Sequence, residues 1–252
     1  MDNETTIEGR NAVMEALRAG RPLAKIMLAK GIEPAFSAAV KRHARSRGIP
    51  VVEVGRSKLD AMSAVGNHQG VIALGAEVHC YSGAGEILDK MQGQKDPPLF
   101  VILDGIKDPH NLGAIIRTCD AVGATGVVIP KRRACGLTSA VAKASAGAVE
   151  YVPCARVSNL AQEVDRLKKE GFWIVGTSAE AEKTMYEIDL TGPLGIVIGS
   201  EGEGISNLLM KKCDFLVRIP SKGRVSSLNA SVATAVILYE VFRQRQHACR
   251  FP

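Results

Sequence analysis

What the 252-residue sequence lacks narrows its chemistry first. No two of its six cysteines, at positions 80, 119, 135, 154, 213 and 249, stand closer than 16 residues. That spacing excludes Cys-x-x-Cys redox centres and zinc ribbons. The cysteines read as reduced, mostly packed thiols of a cytoplasmic protein. No apolar run nears the ~20 residues that span a bilayer, and the polar, acidic start Met1-Asp2-Asn3-Glu4-Thr5 is unlike a secretory signal. No G-x-G-x-x-G follows a strand and no G-x-x-x-x-G-K-[ST] occurs, so neither a nucleotide-binding oxidoreductase nor a P-loop enzyme is indicated. The G-x-S-x-G elbow of many hydrolases is missing. Aromatics reach only 4%, too few for a base-stacking RRM platform. Neither a metal nor a membrane is expected as a partner.

What is there is a globular composition, 46% apolar and 23% charged. Its net charge of +6 is unevenly spread: residues 1–75 hold 11 basic and 7 acidic side chains. Lys41, Arg42, His43, Arg45 and Arg47 form a run on one helical stretch. Such a run is either a solvated face or a surface for a polyanion, nucleic acid before membrane.

The first 75 residues read as a small α/β unit. Val13, Ala16 and Leu17 recur at helical spacing, Pro34 opens a second helix, and 25–29, 51–54 and 71–74 are strands. Residues 76–97, with Ser82-Gly83-Ala84-Gly85 and a Gln-Gly-Gln-Lys-Asp-Pro-Pro run around one short helix, read as a linker. From 98 to 252 strands and helices alternate, with strands at 99–103, 127–129, 151–154, 172–176, 196–198 and 215–219. Strands apolar along their whole length, separated by helices, predict a mainly parallel sheet covered on both faces. Its ligands bind outside the carboxyl ends of the strands.

Three segments gather the chemistry there. In the first, Asp104 to Asp120, Leu112, Ile115, Ile116 and Cys119 form a buried stripe and Asn111 is placed to cap the helix. Arg117 is either a local partner of Asp120 or a functional cation. In the second, Gly199-Ser200-Glu201-Gly202-Glu203-Gly204 follows a buried strand; its glycines let backbone approach a ligand, or merely make a turn. In the third, Ser227 and Asn229 lead from a basic glycine loop into a helix, where capping is their commonest use.

Taken together and in order, Asn-x5-Arg (Asn111, Arg117), the G-S-E-G-E-G loop (199–204) and S-L-N-x-S-V-A (227–233) resemble the SpoU/TrmH branch of the SPOUT methyltransferases. Ile7-Glu8-Gly9-Arg10-Asn11-Ala12-Val13 and Asn67-His68-Gln69-Gly70 resemble the RNA-binding domain of bacterial 23S rRNA (guanosine-2′-O)-methyltransferases. The resemblance covers nearly the whole chain.

It implies a homodimeric α/β enzyme of SPOUT fold, closed by a C-terminal trefoil knot. The enzyme would carry a methyl group from S-adenosylmethionine to a ribose 2′-hydroxyl, foremost of a guanosine in 23S rRNA. Thr177, Gly199, Ser200, Gly202, Ile219 and Leu228 would hold the cofactor. Arg117 would be the base or, since an arginine keeps its proton to about pH 12, the grip on a neighbouring phosphate. Ser227 and Asn229 would orient Arg117 or the ribose, and Asn111 and Glu201 would fix their loops. Arg10, Lys41, Arg42, Arg45 and Arg47 would meet RNA. A tRNA or an adenosine target, or a non-catalytic ribosome-assembly factor, are the alternatives.

Overall fold

The computed structural model describes residues 5–64, 66–91, 93, 96–223 and 227–250, with side chains through 247. The chain starts with β1 (Thr5–Glu8), α1 (Arg10–Arg18), β2 (Leu23–Ala29), α2 (Pro34–Arg45), β3 (Val51–Val54), α3 (Arg56–Met62) and β4 (Val71–Gly75). It continues through β5 (Cys80–Tyr81), α4 (Ala84–Lys90), β6 (Leu99–Asp104), α5 (Pro109–Val122), β7 (Gly126–Pro130) and α6 (Ser139–Ala144). A 3-10 turn over Ala148–Glu150 precedes β8 (Cys154–Val157), α7 (Leu160–Lys169), β9 (Trp173–Thr177) and β10 (Lys183–Thr184). Then come β11 (Leu194–Gly199), α8 (Asn207–Met210), β12 (Phe215–Arg218) and α9 (Ala230–Arg250).

These elements form two units: Met1–His79 with Leu137–Tyr151, and Cys80–Gly136 with Val152–Pro252. The first holds a mixed four-stranded sheet in the order β1-β4-β2-β3. Val13, Ala16 and Leu17 of α1 and Val40 and Ala44 of α2 are buried in its core. The Asn67–Gly70 motif locks this unit internally. Arg10 donates its backbone N–H to Gln69 Oε1 (2.9 Å), while the Gly70 N–H donates to His68 Nδ1 (2.9 Å). With Nδ1 accepting, His68 carries its proton on Nε2, 2.9 Å from Asp60 Oδ1.

Leu137–Tyr151 belongs to this first unit although it lies far along the chain. Lys143 Nζ donates to the Asn67 carbonyl (2.7 Å) and Tyr151 to Glu15 (2.6 Å). Arg21 pairs with Glu150 at 2.7 Å, both side chains under a tenth exposed. A Cβ on Gly147, at φ +94°, would fall 2.5 Å from Glu15 Cβ. Only glycine fits that approach.

The second unit is built on eight parallel strands in the order β10-β12-β9-β11-β6-β7-β8-β5. The apolar runs 99–103 and 194–198 are buried throughout, as a sheet covered on both faces demands. All strands point one way, so every carboxyl end lies on one edge.

Several sequence expectations shift. The span 76–97 contains β5 and α4, which belong to the second unit's sheet and its covering layer, because Ile87 and Ala84 are buried in that core. The strand expected at 151–154 lies at Cys154–Val157, since the helical chain runs on through the 3-10 turn. The α5 helix starts at Pro109 and is capped by Asp108, whose carboxylate accepts from the N–H groups of His110 and Asn111. Asn111 is therefore inside the first turn, and its side chain is free for another task.

Candidate active site

The site lies in the second unit, at the carboxyl ends of β6, β9, β11 and β12. The loop after β11 folds back on its own strand: Ser200 N–H donates to Gly204 O (3.1 Å) and Gly204 N–H to Ser200 O (2.9 Å). Gly202 and Gly204 have φ of +87° and +68°. A Cβ on Gly199 would fall 2.0 Å from the carbonyl carbon of Gly204. Glycine at 199 is thus a steric requirement of the turn. The Asp104 carboxylate, at the end of β6, accepts from the Ser206 N–H (2.8 Å) and ties this loop to the neighbouring strand.

Asn111, Glu201 and Asn229 meet at one point. Asn111 Nδ2 donates to Glu201 Oε1 (3.0 Å), and Asn229 Nδ2 donates both to Glu201 Oε1 (2.5 Å) and to Asn111 Oδ1 (2.9 Å). Asn111 is 8% exposed, so its amide needs these partners, while Glu201 itself is exposed and accepts from both amides. Asn229 Oδ1 meanwhile caps α9, accepting from the Ser231 N–H (2.9 Å) and hydroxyl (2.6 Å) and the Val232 N–H (3.3 Å). The expected capping role of Asn229 and its bond to Glu201 use opposite ends of one amide.

Beside this triangle opens a pocket of about 680 Å³, in the size range of small-molecule sites. Thr177, Gly199, Ser200, Gly202, Ile219 and Leu228 all line it, as do Glu201, Ser227 and Asn229. Residues outside the expected set also line it: Ser178, Glu180, Ile198, Ile205 and Val217. A signal for Ile198 and Val217 was their position near strand ends; Ile205, past the glycine loop, and Glu180, after β9, carried none.

The pattern of the SpoU rRNA methylase family matches residues 98–239, and that of the RNA 2′-O ribose methyltransferase substrate-binding domain matches residues 6–79. The chain belongs to the SpoU rRNA methylase family. It is an RNA 2′-O-ribose methyltransferase. YacO of Bacillus subtilis (strain 168), whose name assigns it to the TrmH family of tRNA/rRNA methyltransferases, is 47% identical over 237 residues, covering 94% of each chain. The SpoU methyltransferase AviRb of Streptomyces viridochromogenes, solved in complex with the cofactor AdoMet, superimposes with a TM-score of 0.81 at 25% identity, covering 97% of this chain and 91% of its own. An AdoMet-bound rRNA methyltransferase from Sinorhizobium meliloti gives 0.78 at 27% identity, covering 95% and 87%.

Not every expected site residue joins the pocket of this methyltransferase. Arg117 is exposed on α5, outside the pocket lining, and forms no ion pair with Asp120 or other described residues. In the first unit, three of the five expected RNA contacts have internal partners. Arg10 pairs with Glu33 (2.7 Å) and lies over the Phe36 ring, and Lys41 pairs with Glu53 (2.7 Å). Arg47 donates to the carbonyls of Leu17 (2.9 Å) and Gly20 (2.5 Å), closing the end of α1. Arg42 and Arg45 stay exposed without a partner among the described residues. Among those residues no group of three or more His, Cys, Asp or Glu could hold a metal, and no helix is long and apolar enough to cross a membrane.

Proposed function

We propose that this methyltransferase modifies the ribose 2′-oxygen of a guanosine in 23S rRNA, as a homodimer in the cytoplasm, and that the second unit's pocket holds its donor. The observation that carries this reading is the Asn111–Glu201–Asn229 triangle at the rim of a pocket lined by glycines, apolar side chains and carboxylates. S-adenosylmethionine is the methyl donor, and the lining suits it. Gly199 leaves backbone groups bare, Ile198, Val217 and Leu228 offer apolar walls to an adenine, and Glu180 and Glu203 complement a net positive ligand. Thr177, Ser200, Gly202 and Ile219 complete the set we assign to the donor. Once bound, it supplies an activated methyl group with a neutral thioether as leaving group.

The chain itself must then align the ribose and help its proton away. Alignment alone contributes a large part of such a barrier. We assign Arg117 to the phosphate next to the target ribose, because an exposed guanidinium free of internal partners can grip it bidentately. Ser227, which lines the pocket, and Asn229 would orient the ribose; Asn111 and Glu201 hold the first and second motif loops to the start of α9. In the first unit we assign RNA contact chiefly to Arg42 and Arg45, with Arg10, Lys41 and Arg47 reaching RNA only if they give up internal bonds. The loops over β9, β11 and β12 are those the knot of the family would tie.

The 23S guanosine rests on the front-end motifs Ile7–Val13 and Asn67–Gly70 and on the match to a substrate-binding domain at 6–79. Labelled S-adenosylmethionine, offered with separate 16S, 23S and tRNA fractions, tests the reading, followed by mapping of the blocked 2′-oxygen. Label in 23S at a guanosine is expected. Label in tRNA alone, or at an adenosine, would replace the proposed target.

A further inference from the structure

The carboxyl edge of the second unit's sheet is electrically divided. The described loops after β9, β11 and β12, which enclose the pocket, carry Glu180, Glu182, Glu201 and Glu203 against Lys222 and, at the end of β12, Arg218, which donates to the carbonyls of Ala181 and Glu182. The other half of the edge, over β6, β7 and β8, carries Lys107, Lys131, Arg132, Arg133 and Arg156 against two carboxylates with other work: Asp104, bonded to the Ser206 N–H, and Asp108, capping α5. Lys107, Lys131, Arg132 and Arg133 are exposed, and none has an ion-pair partner among the described residues.

This basic half is built rather than trailing. The Cys135 N–H donates to the Ile106 carbonyl (2.8 Å), joining the loop after β7 to the loop after β6 that leads into Asn111 and Arg117. The Lys131 N–H donates to Val157 O (2.8 Å), pinning its start to β8. Arg133 sits at φ +62°, a left-handed conformation that a bulky residue seldom adopts. Arg156 lies alongside, its guanidinium 3.8 Å from where a Gly136 Cβ would stand and its buried Nε without a hydrogen-bond partner. Four exposed cations with no ion-pair partner among the described residues, fixed on the side of the motif-one loop away from an acidic pocket, suit a polyanion whose one reacting group must reach that pocket.

We infer that Lys131, Arg132 and Arg133, with Lys107 and Arg156, form an RNA phosphate track within the catalytic unit, carrying the strand past Arg117 toward the donor pocket. This rests on the proposed function above and adds a second RNA surface to that of the first unit. The acidic half would repel the same backbone, so the track also sets the direction of approach.

The full-length enzyme tests it, with an Arg132→Gln/Arg133→Asn double variant; asparagine tolerates the left-handed backbone at 133. Affinity for the RNA fraction that accepts label is measured by filter binding between 50 and 200 mM salt. Calorimetry gives affinity for S-adenosylmethionine, and single-turnover assays at saturating RNA give the methylation rate. RNA affinity should fall at least tenfold at 50 mM salt. The slope of log K against log salt should flatten by about 1.4, two contacts at ~0.7 each for single strands. Donor affinity should hold within twofold, and Arg132→Lys/Arg133→Lys should restore most RNA binding. Unchanged RNA affinity and slope in a variant of an active enzyme would overturn the track alone. Loss of donor affinity in parallel would also overturn it, by showing a structural role. A wild-type enzyme that labels no RNA would sink the track and the proposed function together.

Discussion

Asn229 holds Glu201 with its amide nitrogen at 2.5 Å and caps α9 with its amide oxygen. One side chain therefore joins the second and third motif loops and fixes where the last helix begins. Asn229→Ser should separate the two tasks. Serine still caps, so stability should change by less than ~1 kcal/mol, while the lost amide frees Glu201 and single-turnover methylation should fall at least tenfold. Thermal melts beside rate measurements check it; a variant with a wild-type rate would refute the positioning role.

Gly199→Ala places a methyl group on the Gly204 backbone. The loop must open, at a cost of roughly 1–3 kcal/mol or more for overpacking, and calorimetric uptake of S-adenosylmethionine should be lost. Gly85→Ala, on α4 and outside the pocket lining, is the control: nothing lies within 4 Å of its Cβ position. Donor binding should survive there.

Arg117 has no partner among the described residues whose loss could unfold the helix, so its substitution reads out function directly. Arg117→Ala should abolish turnover with little change in melting temperature. Arg117→Lys discriminates between roles, because a phosphate anchor keeps its charge and some turnover. Complete loss with lysine would point instead to proton transfer or strict bidentate geometry.

The thiols give a pH test. Burial pushes Cys119 and Cys154 well above the ordinary thiol range and Cys213 up to about 12. Well below pH 9 these groups are protonated folded and unfolded, and contribute no slope. Between pH 9 and about 12 the unfolded chain releases protons that the native state retains, so the unfolded state gains and stability falls as pH rises. Urea melts at pH 8, 9 and 10 should show that decline, and Cys213→Ala should flatten part of it. At pH 8 the native protein should leave these three thiols unalkylated by iodoacetamide.

Val232, Tyr239 and Phe242 are exposed along one stripe of α9, with the two rings 6.2 Å apart. A large apolar stripe left in water marks an interface, and the proposed homodimer would cover it. Tyr239→Glu should shift the protein to monomer in sedimentation. An unshifted dimer would move the interface elsewhere.

Much of this was legible in the sequence where one physical rule dominated. Apolar runs at 99–103 and 196–198 announced strands buried on both faces, and the glycine loop at 199–204 announced a close backbone approach or a turn. The triangle was only half visible: chemistry singled out Asn111, but local rules made it a cap, and only the fold shows Asp108 taking that place. Arg10 and Lys41 read as free cations because Glu33 and Glu53, their partners, lie 23 and 12 residues away. A helix was legible at 139–148, of which the structure forms Ser139–Ala144, yet its apolar face at Val141 and Ala142 could not say which sheet it would cover.

That last point bears on any attempt to divide the protein. The chain supplies Leu137–Tyr151 to the first unit from the middle of the second. A chain begun at Cys80 would keep α6 without its host and orphan Glu150 from Arg21, whereas a chain stopped after His79 would lose α6 from beside β1 and orphan Arg21 from Glu150. The two halves of this enzyme are thus written into each other, and inheritance, cloning or proteolysis at a single cut cannot yield either one whole.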